Sequence, residues 1–156
     1  MSRIESESEK RTYSESEARQ YYDDLLEKSL ESIGDGGASI VLGPMFIIRS
    51  PEENFELFRS AQKHLRENGI DVFDQLPWLD YNLQNAPFMY DLKFEIYYKG
   101  LIRSGKIKGA YLLEGWEKSK GTRSEVEYCQ DFGVPVYTMS DGKEMMEKLP
   151  PWQSLA

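Results

Sequence analysis

The sequence predicts a single doubly wound α/β domain: a flavodoxin- or Rossmann-like parallel sheet of four or five strands with helices on both faces. Three observations lead there. Short apolar runs of buried-strand type alternate with amphipathic helical stretches. Glycine or proline marks nearly every junction between them. A chain of 156 residues, 40% hydrophobic and 29% charged, has the length and composition of one globular domain. Strands that alternate with helices pair in parallel, and right-handed crossovers set the loops after the strands along one edge.

Taken in order, residues 1–13 alternate Ser and Glu with few apolar residues and read as a disordered acidic tail. Residues 14–38 form a helical extension. Ser14 and Glu17 make a capping box, Tyr21, Leu25, Leu26, Leu30 and Ile33 share one face, and Gly34 ends the helix. The α/β domain proper spans 39–149. Its first strand, 39–42, stops at Gly43-Pro44. Ser50-Pro51-Glu52-Glu53 starts a helix whose Phe55, Phe58, Ala61 and Leu65 recur at helical spacing until Gly69. A second strand follows over 70–73, a loop over 75–87 and a third helix over 88–103. The third strand covers 107–113, a helix 122–132, and a fourth strand 134–137, where Pro135 suits an edge. Ser140 or Asp141 caps a last helix that runs to 149, and 150–156 are a C-terminal tail.

Charge and rare residues narrow the function. A net charge of −8 argues against a nucleic-acid backbone binder, though a local basic pocket still suits a small phosphorylated ligand. One cysteine, Cys129, leaves no internal disulfide or cysteine metal cluster. One histidine, His64, argues against histidine-rich metal sites and a Ser-His-Asp triad. No metal or cofactor is expected. No apolar run reaches the roughly 20 residues of a membrane helix and no secretory h-region is present, so the expected location is the cytoplasm with no membrane partner.

In doubly wound folds ligands bind outside the carboxyl ends of the strands, which selects 43–50, 74–87 and 114–125. Gly43-Pro44-Met45 is either a tight exit turn or a turn that lets backbone approach a ligand. The 114–125 turn offers Ser119, Thr122 and backbone amides to an anion, and Glu125 near a helix start is expected to stay ionised. Such a carboxylate can attack an anomeric carbon; it is also a common first-turn acid with no further role.

These residues carry a resemblance. The strand ending in Gly43-Pro44-Met45, the step Asn68-Gly69-Ile70-Asp71-Val72, Tyr111-Leu112-Leu113-Glu114-Gly115-Trp116, Ser119-Lys120-Gly121-Thr122-Arg123-Ser124-Glu125 and Gly133-Val134-Pro135-Val136 follow one another as in a known family. Residues 40–137 resemble the nucleoside 2-deoxyribosyltransferase superfamily, including its small bacterial and phage branch and its nucleotide N-glycosidase relatives. The resemblance implies an N-glycosidic bond hydrolase or transferase in which Glu125 attacks C1′ of the sugar. Gly43, Pro44, Met45, Trp116, Ser119, Gly121 and Thr122 are the residues expected around the substrate, with Trp116 either a lid over the pocket or a packing residue. Ser119 stands where nucleotide-hydrolysing relatives contact the 5′-phosphate and nucleoside transferases carry an aspartate, so a nucleoside 5′-monophosphate is favoured over a free nucleoside. Relatives assemble as homodimers or larger homo-oligomers. They also place an aspartate where Lys99, Gly100 and Leu101 stand here. Asp91 and Glu95, one or two turns earlier, are the acids that could protonate the leaving base. The alternative to an enzyme is a catalytically inactive nucleotide-binding or regulatory module.

Overall fold

Two serines start helices as their sequences require. In the computed structural model, which describes residues 14–78, 91–140 and 143–148, Ser14 opens α1 (Glu15–Ile33) and Ser50 opens α2 (Pro51–Glu67). At each start the serine hydroxyl accepts from the backbone N–H of the glutamate three residues on, and that glutamate accepts from the serine N–H. The tails at 1–13 and 149–156, residues 79–90 and Asp141-Gly142 lie outside the described residues.

Four strands make one sheet in the order β1 (Ala38–Leu42), β2 (Ile107–Leu112), β3 (Val136–Ser140), β4 (Lys143–Lys148). The first three are parallel, with Ile40 beside Ala110 and Ala110 beside Val136. β1 is buried along its whole length, as a strand covered on both faces must be. Ile40, Leu42, Ala110 and Leu112 pack on one face against α1, the third helix and α4 (Lys120–Asp131). Val41, Tyr111 and Met139 pack on the other against Phe58, Ala61 and Leu65 of α2. Helices therefore cover both faces of the sheet, and the fold is the predicted α/β class.

Helix α1 belongs to the same core. Ala18 and Tyr22 are buried in it, the Ser29 and Tyr97 hydroxyls meet at 2.9 Å, and Leu26 occupies the space over Gly100.

Three predicted elements differ. Residues 70–73 make only a single parallel bridge, Ser39 to Val72, held by Ser39 N–H to Asp71 O and Phe73 N–H to Ser39 O. The last helix is instead β4, antiparallel to β3 with Thr138 beside Glu147 and Ser140 beside Lys143. Asp141-Gly142, the dipeptide between them, favours a tight hairpin, and pairing covers an edge that β3 would otherwise expose. Pro135 consequently precedes an inner strand, not an edge. In the third helix, α3, residues 91–92 are α-helical, Lys93–Tyr98 form a π-helical stretch and Lys99–Arg103 are α-helical again, while 88–90 lie outside the described residues. Among the described residues no helix is long and apolar enough to cross a membrane.

Candidate functional site

The loops after β1 and β2 meet because Gly43 lets them. A Cβ on Gly43 would lie 2.8 Å from the Leu113 Cβ, so only glycine permits this approach of the two strand exits. The β1 exit is tied down from behind. Buried Gln75 donates to the Val41 carbonyl and accepts from the Tyr98 hydroxyl of α3. Farther along, the buried Asn54 amide donates to the Ile47 and Arg49 carbonyls, and Arg49 donates to Asn54 Oδ1 and to the Glu114 carbonyl. The loop is thereby pinned to α2 and to the β2 exit. Within it Ile48 has φ of 75°, a conformation a β-branched residue adopts only under constraint.

Across from this loop, Gly115 in the left-handed region and a 3₁₀ turn (Trp116–Lys118) lead into α4, with Ser119 as its N-cap. Ser119 Oγ accepts from the Thr122 N–H at 3.3 Å and from the Thr122 hydroxyl at 3.0 Å. Both acceptor positions of Ser119 are occupied, which leaves its own proton to donate elsewhere.

Between the two loops and the π-helical stretch of α3 lies a cavity of about 270 Å³. The β1 exit contributes Gly43, Met45, Phe46 and Ile47; α3 contributes Lys93, Phe94 and Tyr98; the α4 side contributes Lys118, Ser119, Lys120, Thr122 and Glu125. Phe94 and Tyr98 stack with ring centroids 5.5 Å apart, and Lys93 Nζ lies 4.7 Å over the Phe94 ring. A π-helical stretch inside a helix frequently marks a functional site, because it turns side chains out of the regular register.

Of the residues singled out from sequence, Gly43, Met45, Ser119, Thr122 and Glu125 line this cavity. Pro44 is buried beside it. Gly121 lies under the Phe94 ring. Trp116 is buried and faces a separate depression with Glu114 and Thr138. Asp91 and Glu95 are exposed and line no part of the cavity.

Glu125 differs from its expected state. Helix α4 begins at Lys120, two residues earlier than the sequence pattern indicated, so Glu125 falls in the second turn and faces inward. It is 4% exposed, and among the described residues its carboxylate has no hydrogen-bond partner. Burial raises its pKa, an effect that the nearby Lys93 charge opposes. Lys93, 3% exposed, shows the mirror image: burial lowers its pKa and Glu125 opposes the change. Burial therefore outweighs the helix start that was expected to keep Glu125 ionised. One turn on, buried Cys129 has its thiol pushed up to about 12 by desolvation and then by Glu125, which makes it an unreactive core residue.

Lys93 was missed from sequence. Its signal was spacing: Leu92, Lys93, Tyr97, Gly100 and Leu101 share the buried face of α3, so a lysine stands where the pattern calls for an apolar residue. Among the described residues no group of three or more His, Cys, Asp or Glu side chains could hold a metal ion.

A family model described as a domain of unknown function (DUF4406) matches residues 41–138, from β1 to β3 and across every loop that lines the cavity. No curated protein and no solved structure matches the chain. The chain belongs to the DUF4406 family.

Proposed function

We propose that this member of the DUF4406 family is an N-glycosidic bond hydrolase or transferase acting on a nucleoside 5′-monophosphate or a nucleoside, with Glu125 as the nucleophile. The observation that carries this reading is a buried carboxylate facing a cavity with no hydrogen bond to it among the described residues. A carboxylate desolvated without partners is costly for folding, and such groups concentrate where chemistry uses them. The rest of the cavity suits the same substrate. Phe94 and Tyr98 offer an apolar stacked wall for a base, and Ser119 has a free donor at the helix start for a 5′-phosphate, with Lys118 and Lys120 on the rim. Its volume lies near the lower end of small-molecule sites. A homodimer or larger homo-oligomer belongs to the same proposal. Phe46, Ile47 and Ile48, 46%, 44% and 48% exposed beside the cavity, are an apolar patch that a neighbouring copy would cover.

A second reading, a nucleotide-binding module without turnover, is favoured by one observation: Asp91 and Glu95 both stand outside the cavity. Incubation with a panel of nucleosides and nucleoside 5′-monophosphates, with and without an acceptor base, tests both. Release or exchange of base supports the enzyme. Ligand-induced thermal stabilisation without release supports the module and overturns the enzyme.

A further inference from the structure

We infer that Lys93 is the catalytic acid of this site, giving a proton to the leaving base as Glu125 attacks the sugar. The assignment rests on the N-glycosidic proposal and supplies what Asp91 and Glu95 cannot, since neither reaches the cavity. Lys93 lines the cavity from the π-helical turn, opposite Glu125 on α4, and both are almost wholly buried. Its ammonium group lies over the face of Phe94, the ring that with Tyr98 forms the apolar wall. A base held in the cavity shares its lining with the amine and with the wall of Phe94 and Tyr98.

Charge balance strengthens the case. The reactive form has Glu125 as the carboxylate, its proton lost, and Lys93 as the ammonium, two buried charges of opposite sign that sum to zero. In the first step the Glu125 Oε–C1′ bond forms and the C1′–N bond breaks. The base nitrogen takes a proton from Lys93 Nζ. The carboxylate becomes a neutral ester and the ammonium a neutral amine, so both buried charges disappear together. In the second step a water oxygen, or the nitrogen of an acceptor base, bonds to C1′ as the Glu125 ester bond breaks. Lys93 Nζ takes the proton released by the nucleophile, which restores the pair. At no stage does one buried charge stand without the other, the arrangement a low-dielectric pocket requires. Burial also brings the lysine towards the acidity at which general acids work best near neutral pH.

Among the described residues the other titratable groups lining the cavity are Tyr98 on α3 itself and Lys118 and Lys120 on the rim. The test compares two substrates: a nucleoside 5′-monophosphate and a 4-nitrophenyl riboside 5′-phosphate, whose leaving group departs without a proton. Lys93→Met is expected to lose about 10²–10⁴ in kcat on the nucleotide and less than about tenfold on the nitrophenyl substrate. Wild-type kcat on the nucleotide is expected to fall at alkaline pH as Lys93 loses its proton. That limb should be absent with the nitrophenyl substrate and shifted upward in Lys93→Arg. Equal losses on both substrates, or an alkaline limb that Lys93→Arg leaves in place, overturn the assignment while the N-glycosidic proposal stands. A wild type that cleaves neither substrate overturns both. Should Lys93→Met fail to fold, the two wild-type pH profiles decide, because a merely structural lysine gives no difference between them.

Discussion

Gly121 of α4 sits so close under Phe94 of α3 that no side chain fits between them: a Cβ built there would lie 2.3 Å from the ring's Cζ. The contact sets the wall of the cavity, since Phe94 lines it and Gly121 does not. Alanine at 121 would gain at most about 1 kcal/mol of helix propensity. Forcing the ring aside costs about 1–3 kcal/mol in a packed core. Phe94 has empty space on one side, however, so the ring can swing into the cavity. Gly121→Ala is therefore expected to shift stability by less than about 1 kcal/mol while weakening nucleotide binding by about tenfold or more, equivalent to about 1.4 kcal/mol. Thermal melting and titration calorimetry on the same preparation check it. Unchanged affinity would show that Phe94 does not shape the ligand site.

The Glu125 and Lys93 shifts make opposite contributions to stability as pH changes. Glu125 has a raised pKa in the fold, so between the ordinary carboxylate range and its raised value the native state holds a proton that the unfolded chain has released. Stability from this group is full in acid and is lost as pH rises through that window. Lys93 has a lowered pKa, so in the alkaline range the native state has released a proton that the unfolded chain keeps. Stability from this group grows as pH rises there. Glu125→Gln is expected to remove the decline of Tm between weakly acidic and neutral pH, and Lys93→Met to remove the alkaline recovery. Melting curves from pH 4 to 10 on all three proteins supply the comparison. A Glu125→Gln profile parallel to wild type would mean that Glu125 is ionised and solvated in the fold.

Local signals in the sequence were reliable where one residue's chemistry decides the outcome. Ser14 and Ser50 cap helices because a hydroxyl followed three residues later by glutamate satisfies two helix-end donors wherever it occurs. Ser119 was legible as a turn hydroxyl suited to an anion and it does line the cavity, but not as a helix cap, because the helix was expected only from 122. What failed depended on distant partners. Residues 143–148 have no strand pattern of their own and become β4 because β3 offers an unpaired edge. Residues 70–73 have that pattern, yet only Val72 finds Ser39. The state of Glu125 was misjudged because the helix begins at Lys120, and because burial among side chains from α3 is invisible in the local turn. Lys93 shows the same limit: its place on an apolar face could be seen, but not that the face opens on a carboxylate.

Ile48 is a β-branched residue at φ of 75°, in the loop that closes over the cavity from β1. Strain of this kind costs about 1–3 kcal/mol. The side chain is 48% exposed and its Cδ1 packs on Gly115, so truncating it loses only about 1 kcal/mol of burial. Asparagine tolerates the left-handed region. Ile48→Asn should therefore leave stability unchanged or raise it by up to about 1 kcal/mol, whereas Ile to Asn at a half-exposed site without strain is destabilising. The urea midpoint reports the difference. A loss above about 1 kcal/mol would mean that the Gly115 contact outweighs the backbone strain.

Ser119 joins two roles that one substitution can separate. As N-cap it accepts from the Thr122 N–H, and its loss to alanine should cost α4 about 0.5–2 kcal/mol. As a donor facing the cavity beside Lys118 and Lys120, it is suited to an anionic oxygen. Aspartate caps helices as well as serine does but brings a negative charge and no proton to donate. Ser119→Asp should accordingly melt within about 1 kcal/mol of wild type, yet lose the preference for a nucleoside 5′-monophosphate over the free nucleoside. A hydrogen bond to a charged group is worth about 1.5–3 kcal/mol, so the ratio of kcat/KM between the two should fall by about 10–100-fold, with Ser119→Ala between them. The free nucleoside, which brings no phosphate charge, serves as the internal control. If all three proteins keep the same ratio, the phosphate does not lie at Ser119.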